Sequence, residues 1–111
     1  MPNPEKIFNW IDIEHLTVEL LVEGDSVRQF TIEGKKVCFA IYQHSLTAFA
    51  ATCPHAGGQF AYARRDASGN IICPLHGYKF NPSNGRNISG EGYFLKTYPL
   101  ERRADGLYIG F

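Results

Sequence analysis

Short apolar runs alternate with polar, turn-forming clusters along most of this chain. Residues 18–22, 27–32, 37–42, 46–51, 70–73 and 93–100 are rich in β-branched, aromatic and aliphatic side chains and are short enough for strands. Between them fall Glu33-Gly34-Lys35, Ser68-Gly69-Asn70, Ser83-Asn84-Gly85 and Asp105-Gly106, residues that tolerate the backbone of tight turns. A last run over 107–111 closes the pattern. Residues 14–22 read two ways: Val18, Leu20 and Val22 alternate as in a strand, whereas Leu16, Leu20 and Leu21 line one face of a helix. The alternation favours the strand, and the whole predicts an all-β fold. No repeat, low-complexity tract or linker interrupts it.

With 111 residues the chain is expected to form one domain, residues 1–111, with no room for a second catalytic unit. Eleven basic and eleven acidic residues give a formal net charge of zero, so no global field draws nucleic acid or an anionic membrane. The first residues carry no apolar signal core and no run approaches the length of a membrane helix; a cytoplasmic protein is expected. Of three cysteines, Cys38 sits in the apolar run Val37-Cys38-Phe39-Ala40-Ile41-Tyr42, which predicts a buried structural thiol with no disulfide mate.

The other two cysteines carry the chemistry. Cys53-Pro54-His55 and, after seventeen intervening residues, Cys73-Pro74-Leu75-His76 supply a complete four-ligand metal set. Thiolate sulfur selects zinc or cluster iron, and imidazole accepts either. A structural zinc site usually takes a Cys pair from one turn and its His pair from another. Here each segment gives one Cys and one His, a division that suits a dinuclear iron–sulfur cluster with both sulfurs on one iron and both imidazoles on the other. Mononuclear zinc is the rival. Pro54 and Pro74 follow the ligand cysteines and bias them towards extended backbone. Gly57, Gly58 and Gly77 let the backbone turn and approach sulfur closely, where N–H groups tune a cluster.

Cys53-Pro54-His55-Ala56-Gly57 with Cys73-Pro74-Leu75-His76-Gly77 resembles the signature of Rieske iron–sulfur proteins. From about Lys36 onward the order of elements is similar to the stand-alone Rieske ferredoxins of oxygenase systems. The resemblance implies an antiparallel β sandwich with a small cluster-binding subdomain formed by two loops, about 52–60 and 72–80. It implies one 2Fe-2S cluster, with Cys53 and Cys73 on a buried iron and His55 and His76 on an outer iron whose imidazole edge is the electron port. The high-potential branch carries a disulfide across the cluster at positions that here hold Gly58 and Leu75. Its Ser and Tyr hydrogen-bond donors are replaced by Tyr78 and Phe80. Fewer donors to sulfur push the potential towards the negative end of the Rieske range, roughly −150 to +300 mV. The family's proline-rich third loop is also absent from residues 87–92. Binding of iron acidifies imidazole N–H groups, so the potential is expected to fall as pH rises through their oxidised-state pKa values.

The implied function is one-electron transfer between a reductase and an oxygenase, as an electron-transfer component and not itself a catalyst. A redox-sensing regulatory module, a small nitrite-reductase-like subunit and a zinc-stabilised interaction domain are the alternatives. The partners expected are transient redox proteins, with no nucleic acid and no membrane. Arg64-Arg65 and Arg102-Arg103 read as solvated faces before docking sites. His15 and His44 lack motif neighbours, and Trp10 reads as core.

Overall fold

The computed structural model describes residues 7–17, 27–43, 45–54, 57–61, 63–75, 77–89 and 92–111. Among them lie β1 (Trp10–Asp12), a 3₁₀ turn (Glu14–Leu16), β2 (Arg28–Ile32), β3 (Lys35–Tyr42), β4 (Ser45–Ala50), β5 (Ile71–Ile72), β6 (Lys79–Phe80), β7 (Thr97–Tyr98), β8 (Leu100–Arg103) and β9 (Gly106–Gly110). Every pairing between them is antiparallel. The strands form a four-stranded sheet ordered β2-β3-β4-β7, a three-stranded sheet ordered β1-β9-β8 and the β5-β6 hairpin.

Alternation along β3 explains how these layers stack. Val37 and Phe39 face one core, with Ile13, Ile32, Ala48, Leu107 and Ile109. Cys38 and Ala40 face the other, with Phe49, Phe60, Ile71, Phe80, Cys53 and Cys73. Successive strand residues point to opposite sides, so a strand covered on both faces reads as an unbroken apolar run. The four-stranded sheet is therefore the middle layer, between the terminal sheet and the two Cys-bearing loops. The first face makes the sandwich that the resemblance implied.

Most expected runs are strands within a residue or two of their expected bounds. The 93–100 run is divided, because Pro99 has no N–H to give to a ladder and separates β7, which pairs with β4, from β8, which pairs with β9. The Pro99 carbonyl instead accepts a hydrogen bond from Gly110 N at 2.9 Å. The stretch 14–22 opens as a 3₁₀ turn and not as a strand. Asp12 Oδ1 accepts from Glu14 N, and Glu14 Oε2 accepts from Leu107 N on β9, which hold that turn against the sheet. The remainder of that run, 18–22, and His44 lie outside the described residues.

Candidate metal centre

Cys53 and Cys73 head two loops with the same hydrogen-bond pattern. Cys53 N donates to Gly58 O at 2.7 Å and Gly57 N donates back to Cys53 O at 3.0 Å. In the second loop Cys73 N donates to Tyr78 O at 2.7 Å and Gly77 N to Cys73 O at 2.9 Å. Each turn is closed by a glycine in the left-handed region, Gly57 at φ 74° and Gly77 at φ 73°, a conformation that a Cβ disfavours by about 1–2 kcal/mol. Two separate pieces of chain thus build one knuckle twice.

Gly58 fixes how the knuckles meet. A Cβ placed on it would lie 2.8 Å from Cys73 Sγ, 3.2 Å from Leu75 Cβ and 3.8 Å from Cys53 Cβ. The two cysteines therefore converge on one spot, and the missing side chain at Gly58 leaves the space between them. Both are buried, Cys53 at 2% and Cys73 at 0% exposure. The contact between positions 58 and 75 also places together the two residues that stand where the high-potential branch has its disulfide. Neither is a cysteine here.

An aromatic brace carries the loops. Phe60 follows the first loop and Phe80 the second, and they meet edge to face at 6.0 Å between ring centres; Phe60 meets Phe49 of β4 in the same way at 5.9 Å. Such pairs add about 0.5–1.5 kcal/mol each beyond the area they bury, and all three rings are fully enclosed. Water is excluded from the inner side of the cysteines, while Pro54 and Leu75 on the outer side are exposed. His55 and His76, the expected imidazole ligands, lie outside the described residues; in sequence each falls within one of the two glycine-closed turns.

Residues 10–99 match the Rieske [2Fe-2S] domain family. The chain belongs to that family. Its cofactor is accordingly a Rieske-type 2Fe-2S cluster, which sets the mononuclear zinc reading aside. No curated protein sequence matches the chain. Among solved structures, a chain of the complex of reduced oxygenase and oxidised ferredoxin in carbazole 1,9a-dioxygenase is 20% identical, with TM-score 0.72 over 91% of this chain and 92% of that one. The ferredoxin of carbazole 1,9a-dioxygenase from Nocardioides aromaticivorans IC177 is 19% identical, with TM-score 0.66 over 79% and 86%. A protein assigned as the NADH-dependent nitrite reductase small subunit of Mycobacterium tuberculosis is 16% identical, with TM-score 0.75 over 96% and 97%. These likenesses establish a shared Rieske fold.

The residues present fit the cluster. Two thiols that converge on a glycine with no side chain to intrude, buried against aromatic carbon, suit the two thiolates of a cluster iron. The third cysteine stands apart. Cys38 Sγ lies 4.0 Å from Gln29 Oε1 in the same core, and burial pushes its pKa up to about 12. A thiol that burial holds un-ionised at neutral pH is a poor nucleophile. Iodoacetamide at pH 8 is expected to leave Cys38 unmodified in the native holoprotein and to alkylate it fully after denaturation, read by mass spectrometry of its peptide. Modification at comparable rates in both states would place the thiol at the surface. The Cys38→Ala variant is expected to retain its full iron and sulfide content.

Proposed function

We propose that this chain is a one-electron carrier that takes its electron from a reductase and delivers it to an oxygenase. Cys53, His55, Cys73 and His76 hold the cluster, as the motif implies, and residues 1–111 act as one domain. When bound, the cluster supplies a single site that is reversibly reduced by one electron. The rest is the work of the chain. Cys53 and Cys73 supply the thiolates, and the Phe49, Phe60 and Phe80 rings keep water from the sulfur side. His55 and His76 would supply the imidazole ligands, and an imidazole ligand gives a short route to a docked protein. The exposed Leu75 beside His76 offers an apolar rim.

The supporting observation is the Rieske fold, shared with the ferredoxin of carbazole 1,9a-dioxygenase and with a chain of that system's complex of oxygenase and ferredoxin. The likeness to the nitrite reductase small subunit, over nearly all of both chains, supports a second reading, in which this chain is a small nitrite-reductase-like subunit.

Anaerobic absorption and electron paramagnetic resonance spectra, taken before and after dithionite with iron, sulfide and zinc measured on the same sample, test the carrier reading. The expected result is a red-brown protein with two irons and two sulfides that bleaches and gives a Rieske-type signal. A colourless, zinc-loaded protein that stays free of cluster after anaerobic preparation would overturn it. Acceleration of electron flow from reductase to oxygenase, against partner affinity that changes with redox state, separates a carrier from a sensor.

A further inference from the structure

The β5-β6 hairpin is the centre of a wider ladder. Arg65 bridges Ile71, Phe80 bridges Asn87, and Arg86 bridges Phe94, so residues 64–66, 71–73, 78–81, 86–89 and 94 lie side by side around the second Cys loop. Hydrogen bonds from Ile72 N to Arg64 O and from Ile88 N to Lys79 O complete the register. Residues directly opposite in antiparallel pairs share a face. Ile71, Phe80 and Cys73 occupy the inner one, all fully buried.

The outer face alternates cation and hydrocarbon. One row reads Arg64, Ile72, Lys79, Ile88, and the next places Arg86 opposite Phe94. Ile88 is 51% and Phe94 70% exposed, both large for an unpartnered side chain. The exposed large hydrophobic residues among those described are Ile7, Leu75, Ile88, Tyr93 and Phe94, and all but Ile7 stand on this subdomain.

Charge is distributed in the same sense. From 57 to 96 the sequence holds five basic residues, Arg64, Arg65, Lys79, Arg86 and Lys96, and two acidic ones, Asp66 and Glu91. That stretch therefore carries a formal +3 and the rest of a neutral chain −3. Asp66, 3.6 Å from Lys79, offsets part of it, and the Asn70 side chain and neighbouring backbone N–H groups hold its carboxyl below the usual range, so it remains charged. Among the described residues Arg64 and Arg86 have no carboxylate within ion-pair distance. By contrast, Arg102 pairs with Glu14 at 3.1 Å and Arg103 with Glu101 at 2.8 Å on the terminal sheet.

We infer that this outer face, with Arg64, Lys79 and Arg86 set around Ile72, Ile88 and Phe94, docks the redox partner, and that the partner presents an acidic surface with an apolar centre. The inference rests on the carrier reading above. A molecule of zero net charge gains no steering from its total charge, but a basic patch bordering the redox end orients an acidic partner as it approaches. The apolar residues then supply the buried centre of a small, transient interface. Ile72 directly precedes Cys73, so docking here sets the partner beside the cluster loop.

Stopped-flow oxidation of the dithionite-reduced holoprotein tests this with two high-potential one-electron acceptors, an acidic plastocyanin and basic cytochrome c. In each reaction the protein loses one electron and the acceptor gains it. Plastocyanin is expected to react faster as ionic strength falls and cytochrome c more slowly. The double variant Arg64→Gln, Arg86→Gln is expected to lower the plastocyanin rate at low salt about five- to tenfold. The charge-matched variant Arg102→Gln, Arg103→Gln is expected to change it less than twofold. Equal effects of the two variants, or rates indifferent to salt, would overturn the docking face and leave the carrier reading standing. Failure to reduce either acceptor would remove both.

Discussion

The Gly85→Ala variant is expected to lose about 4 kcal/mol or more of stability, a large share of the 5–15 kcal/mol that holds a domain together. Gly85 has φ 77°, which an alanine adopts at a cost of about 1–2 kcal/mol. The larger part is steric. An added Cβ would stand 1.9 Å from the carbonyl oxygen of Leu95 and 3.0 Å from its carbon, and backbone on both sides leaves no flexible end to move aside. Relief requires breaking the hydrogen bond from Leu95 N to Gly85 O, 2.8 Å long, and shifting Leu95 out of the core that contains Cys53 and Cys73. Urea denaturation of the holoprotein, with Gly34→Ala as reference, measures it. Gly34 has φ 78° but open space around its Cβ, so that variant isolates the backbone cost. Equal losses in the two variants would show that the Leu95 contact yields freely.

Gly85 also marks what sequence alone withholds. Ser83-Asn84-Gly85 is readable as a turn, and Asn84 Oδ1 accepts from Arg86 N as such turns do. That the same glycine must admit a carbonyl ten residues away follows only from the ladder pairing. The strand β1 is similar: Trp10–Asp12 is too short to signal itself and exists through its register with β9 at the other end of the chain. The family was legible for the opposite reason. Two Cys/His segments, each with its own proline and glycine, carry their chemistry locally, so the motif survives without knowledge of the fold. Convergence of Cys53 and Cys73 at Gly58 was the part that needed coordinates.

Charge followed a middle course. Arg64-Arg65 is visible as a pair, but its members diverge, because neighbours on a strand point to opposite faces. Arg64 joins Lys79 and Arg86 on the outer face, while Arg65 lies on the inner side opposite Ile71, with its Nη1 buried. Arg102-Arg103 looks equivalent in sequence and is neutralised by Glu14 and Glu101. Solvation is therefore the right reading for the second pair and only half right for the first.

Replacing Cys73 by alanine is expected to abolish the cluster while leaving most of the fold in place. The proposed ligand set gives each iron two protein ligands, and removal of Cys73 takes half the thiolate charge from the inner iron, which neither water nor a neighbouring side chain replaces inside a fully buried pocket. Holoprotein yield should fall to the background of an apo preparation, measured as iron and sulfide per chain and as visible absorbance. The core shared by Ile13, Val37, Phe39, Leu107 and Ile109 contains no ligand, so the sandwich of the two larger sheets should keep its far-ultraviolet circular dichroism. Ordering of the two loops is coupled to ligand binding, so amide exchange around 53–60 and 73–80 should quicken by tenfold or more. Cys38→Ala removes a thiol from the same core with no such loss, which separates ligand removal from general damage. A Cys73→Ala protein that retains two irons and two sulfides would mean that the cluster is held elsewhere, and the four-ligand assignment would fall with it.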